Sequence, residues 1–70
     1  MPLSMAAPGG AYTVTRVRGK EETRRFLASL GFAEGAEIAV VAAMAGNLIV
    51  SVKGSRVALS RQTASCILTA

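Results

Sequence analysis

Histidine, aspartate and tryptophan are absent from these 70 residues, and cysteine occurs once. Without histidine or aspartate, neither a Ser-His-Asp triad nor a Cys-His pair can be assembled. The carboxylates are four glutamates. Glu21 and Glu22 are consecutive and would diverge on a helix, while Glu34 and Glu37 flank Gly35 near the start of a strand. Neither couple is a working acid–base pair. First-row metals need clustered His, Cys or carboxylate ligands, and this chain has one Cys and scattered Glu. The methionines give no better set, since Met1 and Met5 lie at the N-terminus and Met44 in an apolar run. No metal, no cofactor and no enzymatic activity are expected.

Cys66 has no partner for a disulfide and no histidine to take its proton, so it reads as a small buried apolar residue. Aromatics make up only 4% of the chain, so Val, Ile, Leu and Ala must fill the core, which suits compact β structure. MPLSMAAPGG lacks the basic start and apolar centre of a signal peptide. The uncharged run Ile38 to Val52 is shorter than the ~20 residues a membrane helix needs, and Gly46-Asn47 interrupts it. A buried hairpin and a cytoplasmic location, without membrane insertion, are expected.

Eight Lys/Arg against four Glu give a net charge of +4 and a pI near 10.3. That balance favours an acidic partner, a phosphate-rich polymer or an anionic surface. The charges form no block, which favours a solvated surface over a nucleic-acid footprint.

Residues 1–10 carry Pro and Gly without periodicity and are expected to form a flexible leader, with a single domain over 11–70. Tyr12 to Arg18 is β-branched and reads as a strand. Its apolar Val14 and Val17 are three apart, so a bulge near Thr15 or Arg16 is needed. Lys20 to Leu30 reads as a helix, with Thr23, Phe26, Leu27 and Leu30 on one stripe. Glu21 and Glu22 suit its first turn, and Glu21 can reach Arg25. Gly31 then takes the left-handed position that ends a helix.

Ile38, Val40, Ala42 and Met44 alternate on one strand face, and Leu48, Val50 and Val52 on another. Glycines Gly46 and Gly54 mark the hairpin turns. Val57 and Leu59 point inward, Ser60 caps a short helical turn, and CILT returns as a last strand. Val14, Leu27, Leu30, Ile38, Val40, Leu48, Val50, Val57, Leu59 and Ile67 are the predicted core. So many short strands in one small domain are best closed by curling, which removes most free edges. The expected fold is a mainly β, small SH3-like barrel, with one α-helix between the first two strands and a short helical turn before the last.

The stretch Leu30-Gly31-Phe32-Ala33-Glu34-Gly35 could be a phosphate-cradling loop or a corner joining helix to sheet. It has no following Lys-Ser/Thr, and it opens onto a strand rather than a helix N-terminus, so the corner is the reading. Binding through a surface remains. The Met44 to Leu48 tip, with Asn47, and the helix arginines Arg24 and Arg25 are the candidate contacts. Arg18 and Lys20 lie just before them.

The order LASLGF, AEGAEIAVV and GNLIVSVKGSRVALSRQTASCI, spanning Tyr12 to Thr69, resembles the FeoA family of ferrous-iron uptake proteins. In place of the family's Pro-x-Gly-Asp-Pro-like hairpin stands Met44-Ala45-Gly46-Asn47-Leu48, where Gly46 matches the turn glycine and Asn47 replaces the Asp without its charge. The resemblance implies an SH3-like fold and a cytoplasmic accessory protein. Its partner would be FeoB, the membrane protein with a GTPase domain that carries ferrous iron. Similar domains close iron-dependent repressors. No DNA-binding helix pair precedes the domain here, so a stand-alone protein is expected. The alternative reading is a small basic barrel that binds nucleic acid. It is disfavoured because Phe26 and Phe32, the two aromatics besides Tyr12, are predicted to be buried and not free to stack on bases.

Overall fold

A computed structural model describes the whole chain, residues 1–70. A 3-10 turn (Leu3–Met5) precedes β1 (Ala11–Val17) and α1 (Glu21–Leu30). Strands β2 (Glu37–Met44), β3 (Asn47–Val52) and β4 (Ser55–Ser60) follow as a meander, then the short helix α2 (Arg61–Ala64) and β5 (Ile67–Thr69). One antiparallel sheet runs in the order β4-β3-β2-β1-β5. Its single core contains Val14, Leu27, Phe32, Ile38, Val40, Leu48, Val50, Val52, Leu59, Ala64 and Ile67. The predicted core holds in its main lines, with Leu30 and Val57 only partly buried against it and Leu3, Ala6, Phe32, Val52 and Ala64 added.

Two bulges interrupt the strand register, and bulges bend and twist the strands that carry them. In β1 the register against β5 shifts between Val14 and Arg16, so Thr15 is the extra residue, as the spacing of Val14 and Val17 predicts. The second shift, between Val40 and Ala42 against β3, has no signature in the sequence. Beyond it Ala43, not Ala42, stands opposite Leu48, and Met44 stands opposite Asn47. Met44 therefore leaves the face of Ile38 and Val40 and is 63% exposed.

Both hairpin turns have two central residues at positive φ, the pattern of a type I′ turn: Ala45 and Gly46, then Lys53 and Gly54. Such turns twist as the strands do, which is why the glycines sit second in each. Ala45 holds φ 52°, a conformation costing an alanine about 1–2 kcal/mol. Ala45→Asn, which tolerates that region, is expected to raise stability by about 0.5–1 kcal/mol in urea unfolding. An unchanged midpoint would show that the turn carries no such strain.

The N-terminal ten residues correct the expectation of a flexible leader. Leu3 is fully buried and Ala6 nearly so, both within the main core. Pro2 bridges Leu68, and the Thr69 amide donates to the Met1 carbonyl at 2.7 Å. Arg61 donates from its guanidinium to the Ser4 carbonyl at 2.7 Å. The 3-10 turn packs on both α2 and β5, so this segment covers the outer edge of β5 and spans toward α2. Composition suggested fraying because Pro and Gly have no periodicity. What holds the segment is a single leucine and an edge that lies nearly the whole chain away.

Candidate functional site

Helix α1 is anchored at its end. Gly31 takes φ 105°, its N–H donates to the Ala28 carbonyl, and the Phe32 N–H donates to the Leu27 carbonyl, both at 3.0 Å. That is a Schellman motif, with Phe32 and Leu27 buried together as its apolar contact. The Gly35 N–H donates to the Val14 carbonyl at 2.7 Å, tying the corner to β1. With these amides engaged inside the fold, the Gly31–Gly35 stretch presents a docked corner and no cradle for phosphate.

The helix exposes what surrounds Leu27, its one fully buried residue. Arg24 and Arg25 are exposed. Arg25 pairs with Glu21 at 3.2 Å, but with side chains 80% and 61% exposed the pair contributes little. It is the only salt bridge, so seven of the eight cations have no carboxylate partner. The alkyl stem of Lys53 lies beside Gly31, where an added Cβ would meet it at 3.2 Å.

The hairpin tip keeps two of its three candidate residues at the surface. Met44 and Asn47 are exposed, but Leu48 is completely buried and cannot be a contact. Alternation decides this: Leu48 shares its face with Val50 and Val52, both in the core. Nor do tip and helix patch merge. The Gly46 carbonyl accepts from the Arg61 N–H at 3.2 Å, so the tip adjoins α2. The end of α1 meets Val52 and Lys53 at the other end of β3, about 17 Å away along the strand.

Phe26 was missed. The stripe reading buries it, yet it is 55% exposed. It stands about 100° from Leu27 around the helix, while Arg24 stands about 60° away on the opposite flank. A ten-residue helix docked through Leu27 covers only the near half of so wide a stripe. With Glu22 and Thr23 on α1 and Thr63 on α2, Phe26 lines an open cleft of about 300 Å³. A second hollow of about 230 Å³ lies at Ala11, Tyr12, Thr13 and Glu37. No three of His, Cys, Asp and Glu gather anywhere, and Cys66 is half-buried with its thiol 3.8 Å from the Gln62 carbonyl. The surface is equipped for contact through charge and one aromatic.

The FeoA domain family model matches residues 1–70. A crystal structure of an iron uptake regulatory protein, FeoA, is 35% identical, with a TM-score of 0.90 over 99% of this chain and 92% of that one. The zinc complex of Stenotrophomonas maltophilia FeoA, an SH3 domain protein, is 29% identical, with a TM-score of 0.87 over 100% of this chain and 89% of that one. A manganese-dependent transcriptional repressor in complex with manganese is 26% identical, with a TM-score of 0.91. All of this chain is covered there, but only 35% of the repressor. Among curated proteins, none matches by sequence.

Proposed function

Because the chain belongs to the FeoA domain family, we propose that it is a cytoplasmic accessory protein of ferrous-iron uptake. It acts by contact with the cytoplasmic part of a FeoB-type membrane GTPase and does not itself hold the iron. The family match over the full length supports this reading, and the observation that carries it furthest is the surplus of unpaired cations on the surface. No helix is long and apolar enough to cross a membrane.

Unpaired surface charge acts mainly on encounter: it raises the association rate toward an acidic face and fades with salt. Arg24 is the better probe, because Arg25 is already engaged by Glu21. Arg24→Glu should leave the fold intact and slow association with the purified cytoplasmic part of the transporter by a few fold at low salt. The difference should shrink at high salt. Biolayer interferometry at two ionic strengths checks it, and equal rates would make Arg24 ordinary solvated surface. Wild-type protein that fails to bind would overturn the proposed partnership.

The exposure of Phe26 gives the nucleic-acid reading an aromatic it lacked. Glu22 lines the same cleft, however, and would repel a phosphate backbone there. Salt-dependent anisotropy with single-stranded oligonucleotides separates the two readings.

A further inference from the structure

We infer that the cleft between α1 and α2 is a docking point for an arginine or lysine side chain of a protein partner, held by Glu22 and Phe26. Glu22 and Phe26 are one helical turn apart and line the same cleft, with the Thr23 and Thr63 side chains at its border. The chain has eight cations, yet none lies within ion-pair distance of Glu22. Its neighbour Glu21 takes the single salt bridge. An unpaired carboxylate beside an exposed aromatic ring is complementary to a cation: the ring face attracts it and the carboxylate pairs with it. An acidic segment, the occupant the net charge of +4 would suggest, meets repulsion from Glu22 at this spot. The volume of about 300 Å³ is small for a ligand site and suits one long side chain.

The occupant follows from that charge complementarity. It is a partner segment with Arg or Lys next to an apolar residue, the apolar residue resting on the ring. Naming the segment as part of the FeoB-type transporter rests on the functional reading above, whereas the chemistry of the cleft does not. The α1 surface is thereby two-sided. Arg24 faces one flank for acidic groups, and Glu22 and Phe26 face the other for a cation.

Two measurements test this. In the first, 15N- and 13C-labelled protein is titrated with the peptides acetyl-Gly-Arg-Leu-Gly-amide and acetyl-Gly-Glu-Leu-Gly-amide. The arginine peptide should shift the Phe26 ring, Glu22 and Thr63 resonances in a saturable way, and Glu22→Gln should weaken it about two- to fivefold. Equal response to both peptides, or none, overturns the cleft. In the second, Glu22→Lys and Phe26→Ser bind the purified cytoplasmic part of the transporter. Both residues are exposed, so both variants should fold, and each should lose about tenfold in affinity. Variants that bind as the wild type does overturn the cleft as its partner site. If the arginine peptide binds but wild-type protein ignores the transporter, the functional reading fails and the cleft stands. Binding to vesicles of three parts phosphatidylcholine to one part phosphatidylserine that depends on Phe26 would replace the protein partner with a membrane surface.

Discussion

Leu3→Ala is expected to destabilise the protein by about 2–5 kcal/mol, the usual cost of truncating a fully buried leucine. In a domain this small, whose total stability lies near the low end of about 5–15 kcal/mol, that lowers Tm by roughly 10 °C or more. Met5, two residues on and 74% exposed, is the internal control, and Met5→Ala should change stability by less than about 0.5 kcal/mol. The contrast is sharp because the two residues share one 3-10 turn and differ only in what they face. Leu3 packs into the core that holds Ile67 and Ala64, while the carbonyls around it bind Arg61 and Thr69. Thermal unfolding followed by circular dichroism decides it. A loss below about 0.5 kcal/mol for Leu3→Ala would return residues 1–10 to a frayed leader.

Gly31→Val carries the other large effect, and two causes contribute. A β-branched residue at φ 105° is strained, at about 1–2 kcal/mol or more. Separately, any Cβ there would lie 3.2 Å from Val52 Cγ2 and Lys53 Cδ, so these side chains must give by a few tenths of an ångström, at about 1 kcal/mol or more for the larger valine. Asparagine relieves part of the first cost and none of the second, so Gly31→Asn should also destabilise, by about 1–3 kcal/mol. The causes separate by comparison with Gly35→Ala, at φ 86° with open space around the added methyl, which bears the backbone cost alone. Gly31→Ala should therefore exceed Gly35→Ala in urea unfolding. Equal losses would mean that the close approach to β3 contributes nothing.

The same glycine shows how far local pattern reaches. That α1 ends at Gly31 is written within Leu27 to Phe32, because a helix end is a matter of its own hydrogen bonds. That a side chain at Gly31 would also press on Val52 and Lys53 cannot be read there, since those atoms arrive from another part of the chain. The candidate surface divides along the same line. Exposed Arg24, Arg25, Met44 and Asn47 follow from polarity or position at a turn, although Met44 is exposed through a bulge that the sequence does not mark. Leu48 was legible as core from its alternation with Val50 and Val52, and its place beside a turn obscured that. Phe26 was illegible: its spacing fits a buried stripe, and only the position of Leu27 against the sheet leaves its ring outside.

The amino-acid sequence by itself determined the order of elements, the stop of α1, the two hairpins and the bulge at Thr15. Each of these depends on side-chain chemistry or on hydrogen bonds within a few residues of one another. Tertiary structure alone decided that Leu3 is core, that the bulge between Val40 and Ala42 turns the end of β2 over, that tip and helix patch lie apart, and that Glu22 and Phe26 share a cleft with Thr63. Burial depends on which surface arrives from a distant part of the chain, and no window of neighbouring residues contains that surface.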